Sequence, residues 1–360
     1  MLKFHPLTVL EVTPDGEDVV TLSLEVPAAL RAEYRGSPGQ HVVLRTRIDG
    51  EEVRRTYSLL NAPGEWPLRI APRVHPHGRM SRHLAESTPA GARIEVLPPN
   101  GSFTPRTAAA GGTYVAFASG CGITPVLSVL RSLLTQGARR VLLFYGNTGS
   151  ARTMCAEELL ALKDRYLGQL ALHFLMSREP QEVALYNGRI DAARVQEFAR
   201  SLFRAAEVRE FFVCGPGDMI EQVSGALRGL GVGAERIHGE HFRVAGETAA
   251  APAEPAAPPP RAAAREGSAE VSVLMDGRRR SFTMHQGTET VLDAAARAGI
   301  ELPFSCRAGV CSTCRTKVVA GEVEMAQNYA LEDWELAQGY VLACQAHCKS
   351  ATLELDYDEK

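Results

Sequence analysis

Cys306, Cys311 and Cys314 stand in a C-x4-C-x2-C run near the end of a 360-residue chain, and Cys344 follows after a further 29 residues. Three thiolates in one tight loop and a fourth from a later segment form the donor set that holds a [2Fe–2S] cluster. Iron favours soft thiolate ligands, and a delocalised cluster carries one electron at a time. The surrounding Ser305, Arg307, Ala308, Gly309, Val310, Ser312 and Thr313 are mostly small, so backbone N–H groups can turn toward the sulfurs. A zinc site would favour paired C-x2-C hooks, and only Cys311/Cys314 forms one here.

Four further strings carry chemistry. Arg55-Thr56-Tyr57-Ser58 reads as strand, with Arg55 and Tyr57 on one face and Thr56 and Ser58 on the other. A guanidinium there can pair with a pyrophosphate, and a phenol and a hydroxyl can meet an isoalloxazine ring. His77-Gly78-Arg79-Met80-Ser81 is a glycine turn leading into a short helix, and a helix start is a natural anion site. Ser119-Gly120-Cys121-Gly122-Ile123-Thr124-Pro125 follows a buried-type strand and opens a helix, with Thr124 as its expected cap and Pro125 in the first turn. Such a strand–helix turn binds dinucleotide phosphate or nicotinamide, although the third glycine of G-x-G-x-x-G is missing. Cys214-Gly215-Pro216-Gly217-Asp218-Met219 repeats the same strand–turn–helix logic, with a thiol that could sit beside a nicotinamide or be merely buried.

The elements that must position these groups fall into three blocks. Before about residue 105, short strands at 19–26, 41–48, 54–59, 68–74 and 93–97 are separated by Gly/Pro/Asp clusters, which predicts an antiparallel β-barrel. From 113 to 242, buried-type strands at 114–119, 141–145, 170–176 and 211–214 alternate with helices beginning near 125, 155, 191 and 217. That alternation implies a parallel α/β sheet with crossover helices. The last block returns to mixed strands with a helix at 291–298. Between the second and third blocks lies an Ala/Pro-rich stretch that reads as a semi-stiff linker. The expected division is 1–106, 107–243, a linker at 244–268, and 269–360.

Composition agrees with an ordinary globular chain, at 45% hydrophobic and 22% charged residues. The longest apolar runs, such as Tyr114-Val115-Ala116-Phe117-Ala118, are strand-sized and far below the ~18 residues of a membrane span. The N-terminus, Met1-Leu2-Lys3-Phe4-His5-Pro6, lacks the apolar region of a secretory leader. Eight cysteines in a long chain, four of them in a cluster motif, point to a reducing, cytoplasmic setting. Neither a nucleic acid nor a membrane is expected as a partner. Residues 269–360 hold 14 acidic and 9 basic side chains, a net of −5 within a total of −3. That suits either docking to a basic partner or an ordinary solvated surface.

The order of these motifs resembles the ferredoxin–NADP reductase superfamily, followed by a plant-type [2Fe–2S] ferredoxin of β-grasp fold. The order of FAD, NAD(P) and cluster segments is similar to that of oxygenase reductase components. Closer still are the reductase subunits of bacterial phenylacetyl-CoA ring-epoxidases, through Phe4-His5-Pro6-Leu7-Thr8-Val9, Pro38-Gly39-Gln40-His41, Asp49-Gly50-Glu51-Glu52, Asn187-Gly188-Arg189-Ile190-Asp191, Asn328-Tyr329-Ala330-Leu331 and 339–346. The resemblance implies that Arg55, Thr56, Tyr57, Ser58, Gly78, Met80 and Ser81 hold FAD rather than FMN. It implies that Gly120, Gly122, Thr124, Cys214 and Gly215 line the nicotinamide site, with Glu240 and Phe242 approaching the flavin. Ser58, Thr124, Cys214 and Glu240 are then the catalytic candidates, as groups that position cofactors. Ser177-Arg178 is similar to the pair that grips the 2′-phosphate of NADPH, which a bidentate guanidinium suits; Glu179 leaves NADH open. His77 stands where many relatives have glycine, and His241 replaces the usual basic residue between Glu240 and Phe242. Cys344, in Leu-Ala-Cys-Gln, closes the cluster, leaving Cys348 a free thiol.

The implied activity is electron transfer from NADPH through FAD and [2Fe–2S] to a multisubunit di-iron oxygenase, expected to act on phenylacetyl-CoA. Another aromatic or steroid oxygenase is the alternative acceptor, and a redox-sensing module is the alternative from another class.

Overall fold

The computed structural model describes residues 3–242 and 267–359. They fall into two compact units, one spanning Phe4–Phe242 and the other containing residues 267–359. The expected linker, 244–268, lies outside the described residues except for its last two, and Ser268 already begins a strand.

The first unit opens with β1 (His5–Pro14), β2 (Val20–Glu25), α1 (Arg31–Tyr34), β3 (His41–Ile48), β4 (Glu51–Ser58), β5 (Leu68–Ile70), α2 (Arg79–Glu86) and β6 (Arg93–Val96). The strands pair antiparallel in the order β4-β3-β6-β1-β2-β5. The two outer strands approach one another where Leu59 bridges Ile70, just beyond the end of β4, so the sheet curls toward closure as a barrel. Leu7, Val9, Leu22, Leu24, Val42, Leu44, Ile94 and Val96 fill its interior. Asp49-Gly50 makes the two-residue turn between β3 and β4, both residues at positive φ (55° and 82°). That is the conformation a tight hairpin requires and that Asp-Gly adopts readily. This hairpin sets the register of the Arg55–Ser58 string against β3.

The unit continues with β7 (Thr113–Ser119), α3 (Ile123–Thr135), β8 (Arg140–Asn147), α4 (Ala156–Arg165), β9 (Leu170–Met176), α5 (Ala192–Ser201), β10 (Glu210–Gly215), α6 (Gly217–Gly229) and β11 (Ile237–His241). All five strands are parallel, in the order β11-β10-β7-β8-β9. Alternate β7 residues serve opposite faces: Tyr114, Ala116 and Ala118 join α3 and α4 in one core, whereas Val115 and Phe117 join α5 and α6 in the other. A sheet buried on both faces reads as continuous apolar strands, as 114–118 does. The chain winds outward from β7 to β9, then returns to place β10 on β7's other side. The carboxyl ends of β7 and β10 therefore flank the topological switch point, where such sheets bind ligands.

The second unit contains β12 (Ser268–Met275), β13 (Arg278–His285), α7 (Val291–Arg297), β14 (Arg315–Ala320), β15 (Val323–Met325), α8 (Asp333–Ala337), β16 (Tyr340–Leu342), β17 (Ala346–Cys348) and β18 (Thr352–Asp356). Its main sheet runs β13-β12-β18-β14-β16, with β12 and β18 parallel and the other pairs antiparallel. β15 and β17 form a separate pair. α7, capped by the Thr290 hydroxyl accepting from the Asp293 N–H at 3.2 Å, packs its Val291, Leu292, Ala294 and Ala295 into the core of this β-grasp unit.

Candidate functional site

The four cysteines of the C-terminal unit converge. Cys306–Cys314 is the loop between α7 and β14, and Cys344 lies between β16 and β17. Arg307, Gly309 and Ser312 all have positive φ (53°, 73° and 48°), which coils the loop tightly. For Arg307 and Ser312 that conformation costs energy, the kind of local strain that accumulates at functional sites. The loop turns N–H groups inward: Ala308 N donates to Cys306 Sγ at 3.3 Å. Hydrogen bonds from the Cys311 and Cys344 thiols, joined by the Ala308 and Val310 N–H groups, pull the Cys306 thiol far below its usual range. Facing Cys306 in turn pushes Cys311 and Cys344 up. Gln345 ties the two segments, donating from Nε2 to Arg307 O at 3.0 Å and lying 3.6 Å from Cys344 Sγ. Ala343 N donates to Cys314 O at 3.0 Å. Cys348 is engaged elsewhere, its thiol donating to Ser350 O at 3.1 Å. Among the described residues no three His, Cys, Asp or Glu side chains close on a single metal ion. The ring of four thiols, with N–H donors aimed at sulfur, has the chemistry a two-iron cluster uses.

In the barrel, β4 pairs residue for residue with β3: Leu44 faces Arg55, Val43 faces Thr56, Val42 faces Tyr57 and His41 faces Ser58. Arg55 is exposed, Thr56 and Tyr57 are half-buried, and Ser58 is buried. Ser58 Oγ has no hydrogen-bond partner among the described residues, an orphan that a flavin edge would satisfy. Burial, only partly opposed by Arg55, raises the Tyr57 phenol well above its ordinary range, so it stays neutral. α2 begins at Gly78 with no side-chain cap, leaving its first N–H groups for an anion. A β-carbon on Gly78 would stand 2.3 Å from Ser81 Oγ and 3.2 Å from His75 O, so a larger residue would have to displace the Ser81 hydroxyl. Ser81 is partly a scaffold residue: its hydroxyl accepts from His75 N–H at 3.2 Å and lies 3.4 Å from Gly78 O. These features fit a flavin with a phosphate tail.

At the switch point, Gly120–Gly122 forms a single 3-10 turn between β7 and α3. The expectation that Thr124 caps α3 is not met. Gly122 occupies the cap position without a side-chain bond, and the Thr124 hydroxyl donates backward to Cys121 O at 2.9 Å. The 3-10 turn brings the helix start two residues earlier, leaving Thr124 inside the first turn and 4% exposed. Cys214 lies at the end of β10 beside Ala118 of β7 and Glu240 of β11. Burial, then the nearby Glu240 and Cys121, raises its thiol well above the usual range, so it stays neutral. A β-carbon on Gly215 would stand 2.7 Å from Met219 Cε and 3.1 Å from Ser119 Cβ, so the second turn is also closely packed. Glu240 and His41 meet across the two sheets, Oε1 to Nδ1 at 3.7 Å. Phe242 packs partly buried against the core shared by β7 and α3. His241 lies in register with Gly215 on β11.

At the far end of β9, Ser177 N–H donates to Asn147 O and Arg178 N–H to Thr148 O. The Arg178 guanidinium is exposed and has no partner among the described residues. Glu179 turns away from it: its Oε2 accepts from Ser150 N–H at 2.6 Å and from the Ser150 hydroxyl at 2.9 Å. Those bonds hold its carboxyl below the ordinary range.

Comparison with known proteins follows the same three-part division. Residues 6–104 match the oxidoreductase FAD-binding domain, 117–225 the oxidoreductase NAD-binding domain, and 273–349 the 2Fe-2S iron-sulfur cluster binding domain. The chain is 38% identical over 364 residues to one of the subunits of 1,2-phenylacetyl-CoA epoxidase from Escherichia coli K12, covering 100% of this chain and 99% of that one. The chain belongs to the flavin and iron–sulfur reductases of oxygenase systems.

Within this reductase family it is also 31% identical to the ferredoxin reductase component of 3-ketosteroid-9-alpha-monooxygenase from Rhodococcus rhodochrous, over 98% of this chain and 96% of that one. Phthalate dioxygenase reductase, a solved structure for electron transfer from pyridine nucleotides to [2Fe-2S], shares the fold at TM-score 0.58 and 24% identity, covering 98% of each chain. As a member of this family the chain is an oxidoreductase with FAD, NAD(P) and [2Fe–2S] domains. No helix among the described residues is long and apolar enough to cross a membrane.

Two residues escaped the motif reading of this reductase. Arg189 belonged to the Asn187-Gly188-Arg189 string without a role, yet Met176 bridges Asn187 and Gly188 N–H donates to Met176 O at 2.8 Å. Arg178 and Arg189 thus each follow two residues after the same bridge, and the Arg189 guanidinium is likewise exposed without a partner among the described residues. His41 is the second; its contact with Glu240 is long-range and leaves no local signal.

Proposed function

We propose that this reductase passes electrons from NADPH to a di-iron oxygenase that epoxidises phenylacetyl-CoA, in aerobic phenylacetate breakdown in the cytoplasm. The observation that carries this reading is full-length co-linearity, at 38% identity, with the epoxidase component of Escherichia coli. The proposed boundaries are an FAD-binding barrel at 1–106, a nucleotide-binding domain at 107–243, a linker at 244–268 and a ferredoxin domain at 269–360. When bound, the FAD supplies conversion of a two-electron hydride into single electrons, and the cluster carries them one by one.

The side chains hold and orient. Cys306, Cys311, Cys314 and Cys344 ligate the cluster, and the inward N–H groups of the loop stabilise its negative charge. Arg55 and the start of α2, with Gly78, Met80 and Ser81, receive the FAD pyrophosphate, while Thr56, Tyr57 and Ser58 face the ring. Gly120, Gly122, Thr124, Cys214 and Gly215 form the floor on which the nicotinamide lies, and Glu240 and Phe242 border it. Ser177 and Arg178, with Arg189 beside them, take the 2′-phosphate. Support for NADPH over NADH is the commitment of Glu179 to Ser150, which removes the acidic partner a 2′-hydroxyl would need.

Anaerobic titration of the purified protein with NADPH and, separately, NADH tests the donor, followed by flavin bleaching and the electron paramagnetic resonance of the reduced cluster. Reconstitution with a phenylacetyl-CoA oxygenase tests the acceptor. Turnover with NADPH and epoxide formation are expected; electron delivery only to a ketosteroid oxygenase would overturn the acceptor. That second reading is favoured by the 31% identity over 98% of the chain to the ketosteroid reductase component.

A further inference from the structure

The segment that ends the second unit carries a side chain to which no motif pointed. Along β18, Leu353 and Leu355 face the core, and strand alternation puts Tyr357 on the same face. Tyr357 packs against the core cluster that contains Cys314 and Cys344. In the antiparallel β14–β18 ladder Val318 is opposite Leu355 and Lys317 opposite Asp356. That register carries Tyr357 to the level of Thr316, two residues after Cys314. As a whole residue Tyr357 is half-buried, but its hydroxyl oxygen is sealed from solvent and has no hydrogen-bond partner among the described residues. A buried tyrosine hydroxyl ordinarily finds a partner. Burial, then the nearby Cys314 and Cys344, raises this phenol well above its ordinary range, so it keeps its proton and can donate it. The backbone on either side is clasped. Tyr357 N–H donates to Leu274 O at 2.9 Å, and the Thr316 hydroxyl donates to Asp356 O at 2.9 Å. The Asp358 carboxylate accepts from the Asp276 and Gly277 N–H groups at 2.7 and 2.8 Å, and Glu359 pairs with Lys317. The ring is therefore held where it stands, and its orphaned hydroxyl costs the fold a bond that phenylalanine would not need.

We propose that the Tyr357 hydroxyl donates a hydrogen bond to the Cys314–Cys344 side of the cluster and thereby raises its reduction potential. One added electron makes the sulfurs of such a cluster more negative. A donor aimed at them therefore binds the reduced form more strongly than the oxidised one, and hydrogen bonds to sulfur are among the terms that set the potential. The step is the arrival of an electron alone: no bond to Tyr357 is made or broken, and its hydroxyl keeps its proton throughout. The N–H groups of Ala308 and Val310 serve Cys306 from within the loop. Tyr357 serves the ligands that border the core, from a strand outside the loop. Its effect is to make the cluster a better acceptor for electrons leaving the flavin. The inference rests on the four cysteines holding a [2Fe–2S] cluster; it requires neither the identity of the oxygenase nor the choice between NADPH and NADH.

The test is a reductive titration of the full-length protein loaded with FAD and cluster, the cluster followed by electron paramagnetic resonance and the flavin by absorbance. Tyr357→Phe keeps the ring and removes only the hydroxyl. At a solution potential fixed at the parent's cluster midpoint, the ratio of reduced to oxidised cluster is expected to fall about tenfold. For a one-electron couple that is a midpoint lowered by about 59 mV. Flavin potentials and the iron and sulfide content stay at parental values, which a general loosening of the fold would not allow. Resonance Raman bands of the Fe–S(Cys) bonds are expected to move to higher frequency, because the lost hydrogen bond no longer draws charge from sulfur. Tyr357→Leu carries the same comparison if Tyr357→Phe does not load its cluster. A midpoint that is unchanged or raised in a fully loaded variant overturns the hydrogen bond. Loss of the cluster from both variants at parental FAD content assigns Tyr357 to building the site rather than tuning it, and overturns the proposal as well. A parent protein that holds no iron or sulfide overturns instead the cluster reading on which the proposal rests.

Discussion

Gly122 lies so close to Cys214 that a β-carbon on it would stand 2.1 Å from the Cys214 carbonyl oxygen and 2.5 Å from its carbonyl carbon. The turn after β7 is thereby seated directly on the end of β10, and the two halves of the proposed nucleotide site are one packed unit. The obstructing atoms are backbone in a central strand, so they cannot swing aside. Gly122→Ala is expected to cost about 1–3 kcal/mol and to displace the turn from the nicotinamide floor. Thermal unfolding and NADPH-dependent flavin bleaching check this: a lower Tm and slower bleaching, with FAD and iron content retained, are the expected results.

Cys344 and Cys348 are four residues apart but differ in environment. Cys344 faces Cys306 and Cys314, whereas Cys348 is 1% exposed and bonded to Ser350 O. Cys344→Ser should lose iron, sulfide and the reduced-cluster resonance. Cys348→Ser should retain all three. Iron analysis of the two variants decides the assignment, and a Cys348→Ser protein that loses its cluster would contradict it.

Architecture and the iron–sulfur cluster were legible because they rest on local patterns. Alternation, apolar runs and the cysteine spacing each reflect neighbours within a few residues, and the Asp49-Gly50 turn announces its hairpin directly. What was hidden depends on topology. His41 meets Glu240 only because the barrel and the parallel sheet pack together within one unit, and Arg189 takes the place two residues beyond the Met176–Asn187 bridge that Arg178 takes on the other strand. The cap of α3 was misread because nothing in Gly-Cys-Gly-Ile-Thr-Pro distinguishes a direct helix start from one preceded by a 3-10 turn.

A buried, hydrogen-bonded carboxylate makes the first unit acid-sensitive. Glu210 on β10 accepts from the Arg106 and Thr107 N–H groups at 2.9 and 2.8 Å, from the Thr107 hydroxyl, and meets His238 Nε2 at 2.7 Å. It thus anchors the connection between barrel and nucleotide sheet. Burial alone would raise its carboxyl, but the bonds from His238, Thr107 and the two backbone groups outweigh it and hold the pKa down to about 2 from an ordinary 4.5. A depressed carboxyl stabilises fully above its unfolded value. Stability of up to about 3 kcal/mol should therefore be present above about pH 4.5 and be lost as pH falls toward about 2. Glu210→Gln should flatten that part of the profile and lower stability at pH 7. Denaturant unfolding of both proteins from pH 7 to pH 3 is the check, and an unaltered acid limb in the variant would refute the assignment.

Arg178 and Glu179 are adjacent but oppositely disposed, the guanidinium exposed without a partner among the described residues and the carboxylate folded onto Ser150. If the free guanidinium binds a 2′-phosphate, Arg178→Gln removes a charge-assisted contact worth about 1.5–3 kcal/mol. The expected result is a fall of about 10- to 100-fold in kcat/KM for NADPH, with NADH nearly unchanged because it lacks the phosphate. Arg189→Gln should weaken NADPH in the same direction. Glu179→Ala frees Ser150 but adds nothing for a 2′-hydroxyl, so the nucleotide preference should hold. Steady-state rates with both nucleotides and a small artificial acceptor separate these outcomes, and equal losses for NADPH and NADH in Arg178→Gln would count against a phosphate role.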